Sequence, residues 1–77
     1  MLPQHLIEEF WISVRSLAQK RFGLTAASAD RWTVEFRKVA AERIGDMIYH
    51  DEPEAVARTV AGGAKHGGFP QPDRAKT

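Results

Sequence analysis

Apolar residues recur at intervals of three and four positions along two long stretches of the chain. The first set is Leu6, Ile7, Phe10, Trp11, Val14, Leu17, Ala18 and Phe22. The second set is Trp32, Phe36, Val39, Ala40, Ile44, Met47 and Ile48. Because this spacing puts each set on one face of an α-helix, the pattern predicts an all-α fold with helices over about 3–22 and about 27–49.

Local signals mark where these two helices begin and end. Gly23 is a typical residue just beyond a helix end, and Thr25, Ser28 and Asp30 are each able to cap the second helix. Gly45 lies inside the second pattern, where one glycine costs about 1 kcal/mol relative to alanine. We expect the helix to continue through it, since one glycine does not outweigh the apolar periodicity.

The segment over residues 49–55, YHDEPEA, places a histidine beside three carboxylates. Asp51 and Glu54 have the spacing of a capping box, which predicts a short third helix over about 52–61 that stops at Gly62-Gly63. A metal site would need further ligands, and nothing in the spacing brings the other histidines here. We therefore expect no metal and no cofactor.

The C-terminal stretch is rich in glycine, proline and charge, so it lacks the apolar surface that would offset the entropy of ordering. The sequence thus predicts a helical domain over residues 1–62 and a disordered tail over residues 63–77.

The apolar stripes on the two long helices are wider than the contact within one helix pair can cover. The stripes span about 160° and about 180° of the helix surface. The short loop favours an antiparallel hairpin in which residues whose numbers sum to about 54 face each other. We expect two hairpins to pack as a homodimeric four-helix bundle. The alternatives are a different protein partner, or a third helix that folds back to give a monomeric three-helix bundle.

Eight side chains on these stripes are candidate contacts with a second copy or another protein. They are Phe10, Trp11, Val14, Trp32, Phe36, Arg43, Ile44 and Met47. Arg43 falls inside the apolar stripe, where its stem can pack while the guanidinium reaches water, or where it can anchor an interface. For Trp11, core and interface remain equally open.

Six cations lie within 24 consecutive positions of the two helices and raise the alternative of a small dimeric DNA-binding regulator. They are Arg15, Lys20, Arg21, Arg31, Arg37 and Lys38. The net charge of the chain is only +1, however. Acidic residues are interleaved with the cations, a mixture that is more typical of a solvated helix face than of a DNA-reading helix.

Composition excludes several other classes. The chain has no cysteine, which removes disulfides and thiolate metal sites and is compatible with a cytoplasmic protein. Its start lacks the features of a signal peptide, and no apolar run approaches the ~20 residues that span a bilayer. No glycine-rich phosphate loop or Gly-x-Ser-x-Gly motif occurs, and His50 beside Asp51 has no visible nucleophile. Abundant alanine, with arginine outnumbering lysine, hints at a bacterial source.

The function predicted from the sequence is therefore non-enzymatic. We expect a small helical protein–protein interaction module, such as an adaptor, an inhibitor or an accessory factor, that buries an apolar and aromatic helix face against itself or an unidentified protein partner.

Overall fold

The computed structural model describes residues 2–69, and all regular secondary structure in this part of the chain is helical. It contains helix α1 (Gln4–Lys20), helix α2 (Ala26–Arg43), a 3₁₀ helix (Gly45–His50) and helix α3 (Pro53–His66). No strand occurs within residues 2–69. The all-α prediction is confirmed. The last part of the predicted tail, residues 70–77, lies outside the described residues.

Helix α1 runs antiparallel to α2, but in a different register from the predicted one. Two ion pairs fix the alignment: Arg37 contacts Glu8 at 2.9 Å, and Arg15 contacts Asp30 at 3.7 Å. The residue numbers in each pair sum to 45, so the predicted sum of about 54 is wrong. The prediction aligned apolar residues as if only two helices shared the core, whereas α3 also packs against both helices.

Thr25, one of the three predicted caps, starts α2. Its side-chain oxygen accepts a hydrogen bond from the Ser28 backbone N–H at 3.1 Å. The predicted end of α2 near residue 49 is wrong, because the α-helix stops at Arg43. Gly45 adopts a φ of +68°, a left-handed conformation that glycine adopts without a Cβ penalty. The chain then tightens into the 3₁₀ helix, in which Ile48 is buried.

Both sequence signals that were expected to set the ends of α3, the capping box and the stop at Gly62-Gly63, prove wrong. The residue before the helix is Glu52, and its side chain makes no capping hydrogen bond, so the predicted capping box over residues 51–54 does not form. At the other end the helix continues past the predicted stop at residue 61 to His66. Gly67, with a φ of +77°, terminates it, and the Gly68 N–H donates to the Gly63 carbonyl at 2.8 Å. This is the hydrogen bond of a Schellman motif.

Helix α3 covers the apolar surface that the two long helices leave open. Its residues Val56, Ala57 and Val60 are buried in the same cluster as Trp11 and Phe36. Ala57 is small, so the helix can approach its neighbours closely. One chain therefore buries these two aromatic side chains by itself, in the manner of the three-helix alternative, and their burial does not require a second copy.

Phe69 extends the core beyond the end of α3. After the turn at Gly67, the Phe69 ring lies directly against Gly63, where a Cβ atom would overlap the ring. Its centroid is 5.0 Å from that of Phe36 and 6.0 Å from that of Trp32. The predicted domain boundary at residue 62 therefore falls inside α3, and beyond it Gly63 and Phe69 pack against each other and the core.

Candidate functional site

The structure separates the predicted interface residues into two groups. Trp11, Val14 and Phe36 are buried together in the core. The other five are half-buried or exposed: Phe10, Trp32, Arg43, Ile44 and Met47. Of the eight residues, therefore, five keep a substantial part of their surface exposed to solvent.

The polar end of Trp11 is hydrogen-bonded within the chain to Tyr49, a residue outside the predicted interface. Its indole N–H donates to the Tyr49 hydroxyl at 3.1 Å. The Phe10 ring packs edge-on against both, with centroids 5.1 Å from each. This contact holds the 3₁₀ helix against α1 and gives Trp11 a structural role.

The surface between α1 and α2 carries a groove with a regular arrangement of charge and apolar side chains. Its exposed sides consist of three residues from each helix: Glu8, Ile12 and Arg15 from α1, and Asp30, Val34 and Arg37 from α2. Trp11 and Thr33 form its floor. We call this surface the α1–α2 groove.

Each end of the α1–α2 groove is closed by an ion pair. At one end both guanidinium nitrogens of Arg37 donate to the Glu8 carboxylate, at 2.9 and 3.3 Å. These hydrogen bonds are the main reason why the pKa of Glu8 lies below its ordinary value of 4.5, since they favour the charged form. At the other end Arg15 and Asp30 form a looser and more exposed pair. All four charged groups thus lie at the edges of the groove.

The centre of the groove is apolar and open to solvent. Ile12 is 55% exposed and Val34 is 47% exposed. Beneath them Thr33 is only 5% exposed, and its hydroxyl has no hydrogen-bond partner. Exposed aliphatic side chains framed by charged ones have the layout of a protein interface, with an apolar centre and a polar rim.

Most of the six cations considered for DNA contact are engaged with groups of the same chain. Arg15, Arg21, Arg37 and Lys38 lie within 2.9–3.7 Å of carboxylates, and the Arg31 guanidinium lies 4.7 Å from the centre of the Trp32 ring. Lys20 is exposed in the last turn of α1. Acidic side chains therefore interrupt the cations in space as well as in sequence.

The described residues offer little support for other kinds of site. Within residues 2–69, no three histidine, aspartate or glutamate side chains come together in a way that could hold a metal ion. In the same range no helix has the length and apolar character needed to cross a bilayer.

Fold and groove together define a small all-α protein with an exposed, charge-framed apolar strip. No protein-family model, no curated protein and no solved structure matches the chain.

Ile12 and Val34 were absent from the predicted interface, although the sequence contains a signal for them. An acid, an aliphatic residue and an arginine occur at positions i, i+4 and i+7 on both helices: Glu8, Ile12, Arg15 and Asp30, Val34, Arg37. Such spacing places three side chains on one helix face. The two triplets become one surface only in the observed register, which differs from the predicted one.

Proposed function

We propose that this protein is a non-enzymatic helical interaction module that binds another protein chain through the α1–α2 groove. The observation that carries this proposal is the exposure of Ile12 and Val34 between two ion pairs. Absence of cysteine is compatible with action in a reducing cytoplasm, and we propose the cytoplasm of a bacterial cell, as the composition suggests. Adaptor, inhibitor and accessory factor all act in this way, by occupying a surface.

Burial of the two aliphatic side chains supplies the driving force for binding. Full burial of an exposed Val or Ile is worth about 1.5–3 kcal/mol, and each retains roughly half of its surface here. The four charged groups contribute mainly orientation, because exposed ion pairs add little affinity. The groove therefore suits a modest and specific contact with a complementary surface.

The groove offers no groups for catalysis. Its titratable side chains are two carboxylates and two guanidinium groups, and both carboxylates are paired with arginines. The pKa of the Glu8 carboxyl is lowered, which is the opposite of the shift that a general acid near neutral pH requires. This arrangement favours binding over an enzymatic role.

The DNA-binding alternative has less support, because four of its six candidate cations already lie beside carboxylates. A titration with random duplex DNA at low and high salt separates the two proposals. Steeply salt-dependent binding would favour the regulator, whereas an absence of binding at low salt would remove it.

Site-specific photocrosslinking tests the interaction module directly. A photoreactive phenylalanine analogue at Ile12, in the full chain expressed in its own host, should give a discrete protein adduct. The same analogue at Ala55, which is exposed on α3, provides the matched control. An adduct at position 12 that is absent at position 55 and is lost on Val34→Glu supports the proposal. Equal labelling at both positions, or none, would refute it.

A further inference from the structure

The two triplets that frame the α1–α2 groove are related by an internal symmetry. Along each helix the order is acid, aliphatic residue, arginine, with the same four- and seven-residue offsets. Seven residues are two helical turns, so the acid and the arginine of each triplet lie on nearly the same face about 10 Å apart. Because α1 and α2 run antiparallel, the acid of each triplet meets the arginine of the other, as the two ion pairs demonstrate.

The charges consequently alternate in sign around the four corners of the groove. Glu8 and Arg37 occupy one end, and Arg15 and Asp30 occupy the other. Two corners are negative and two are positive, with the aliphatic pair between them. A local two-fold axis perpendicular to the face, between the helices, would superimpose one triplet on the other.

Such a surface is complementary to a copy of itself. If a second copy is stacked face to face by a two-fold axis parallel to the helices, Glu8 meets the second copy's Arg37 and Arg15 meets its Asp30. If the axis lies across the helices, Glu8 meets Arg15 and Asp30 meets Arg37. In both orientations every acid faces an arginine, and the aliphatic centres meet. A diagonal axis would instead oppose acid to acid.

We propose that the occupant of the α1–α2 groove is a second copy of this chain, stacked with its helices aligned as a two-fold symmetric dimer. This inference rests on the proposed function and identifies its partner. A surface of one charge sign does not fit the groove, because any acidic or basic partner would meet two attractive and two repulsive corners. The apolar centre drives association, while the alternating corners select the aligned orientations over the diagonal one.

Sedimentation of the full chain from micromolar to millimolar concentration provides the first test. Wild type should show a concentration-dependent monomer–dimer equilibrium. Ile12→Glu with Val34→Glu, which places like charges opposite each other at the centre, should weaken it roughly tenfold or more. Met47→Glu is the control, because Met47 is 65% exposed and lies outside the groove. A wild type that remains monomeric throughout, or a larger effect of Met47→Glu, would overturn the proposal.

Charge variants provide a second test that does not depend on which aligned orientation forms. Glu8→Lys with Asp30→Lys makes all four corners positive, and Arg15→Glu with Arg37→Glu makes all four negative. Each variant alone should dimerise at least several-fold more weakly than wild type, whereas an equimolar mixture should form a heterodimer. Glu42→Lys with Asp46→Lys gives the same net charge as the first variant but leaves the corners intact, and should dimerise like wild type.

Circular dichroism establishes that each variant is folded. If Arg37→Glu unfolds the chain, the comparison of the two lysine pairs decides the question: equal dimerisation of both pairs would refute the role of the corners. The result also separates this inference from the proposed function. A monomeric wild type that still gives a position-12 adduct with a different protein would refute the dimer alone, and a dimer without any adduct in the host would refute only the cellular role.

Discussion

Two adjacent glycines in α3, Gly62 and Gly63, provide a matched pair for testing how the C-terminal segment packs. Alanine is favoured over glycine in a helix interior by about 1 kcal/mol, and both positions lie inside the same helix. A Cβ atom at Gly62 would meet nothing within 4 Å, whereas a Cβ atom at Gly63 would overlap the Phe69 ring. The helix-propensity gain is thus the same, and only the environment differs.

We expect Gly62→Ala to stabilise the protein and Gly63→Ala to destabilise it. Gly62→Ala should gain about 1 kcal/mol. Gly63→Ala gains the same helix propensity, but it displaces the Phe69 ring, which is half-buried against Phe36 and Trp32. Loss of half its burial and of the aromatic contacts should cost about 2 kcal/mol. The variants should therefore differ by about 2 kcal/mol, or roughly 8–16 °C in Tm for a domain of this size.

Thermal and urea unfolding followed by circular dichroism measures this difference, and the contribution of Trp32 to the tryptophan fluorescence reports displacement of the Phe69 ring. The same two substitutions in a Phe69→Ala background serve as the control, because there the two positions should respond equally. If Gly63→Ala is as stabilising as Gly62→Ala in the wild-type background, Phe69 does not lie on Gly63 and the C-terminal packing described above is incorrect.

Three further predictions concern the floor and edge of the groove. Thr33→Val removes a buried hydroxyl that has no hydrogen-bond partner, so it should raise the free energy of unfolding by about 1 kcal/mol; a loss of stability in urea would mean that the hydroxyl is bonded. The lowered pKa of Glu8 means that its pairing with Arg37 stabilises the fold above pH 4.5, and that this contribution disappears as the pH falls through the lowered pKa. Wild type should therefore melt above Glu8→Gln at pH 7 and converge with it in acid, and a gap that persists in acid would contradict the assignment. Tyr49→Phe leaves the buried Trp11 N–H without its acceptor and should lower the free energy of unfolding by about 1–2 kcal/mol. An unchanged unfolding midpoint would contradict this prediction.

The apolar period of the sequence predicts that the long helices exist. The predicted ends of α2 and α3 are wrong, because contacts between distant residues determine where these helices end. The period in the second stretch runs on through Ile44, Met47 and Ile48. Only Ile48 of these is buried, because the chain changes to a 3₁₀ helix after Gly45. The low helix propensity of glycine likewise predicted that α3 stops at Gly62, yet the helix continues. The glycine at position 63 is explained instead by its contact with Phe69, which leaves no room for a side chain. That contact depends on a residue six positions further on and has no local signature.

Which residues of the apolar stripes are buried within one chain was difficult to predict for a related reason. The width of the apolar stripes indicates extensive burial, but it does not show whether a third helix or a second protein covers them. The small side chains of Val56, Ala57 and Val60 are buried where α3 packs against both long helices. The two triplets of the groove were visible as a pattern, but only the register brings Glu8 to Arg37. That register follows from three helices packing together and cannot be derived from two alone.

Gly45 decides whether α2 ends at Arg43 or continues as its apolar pattern favours. An L-residue in the left-handed conformation observed there costs about 1–2 kcal/mol, and asparagine tolerates it better than alanine. No atom outside the neighbouring residues lies within 4 Å of a Cβ at this position, so conformation alone determines the effect. We therefore expect stability to fall in the order glycine, asparagine, alanine in urea unfolding. If alanine proves the most stable, α2 extends in that variant, and the Tyr49 hydroxyl no longer depends on the turn at Gly45 to reach Trp11.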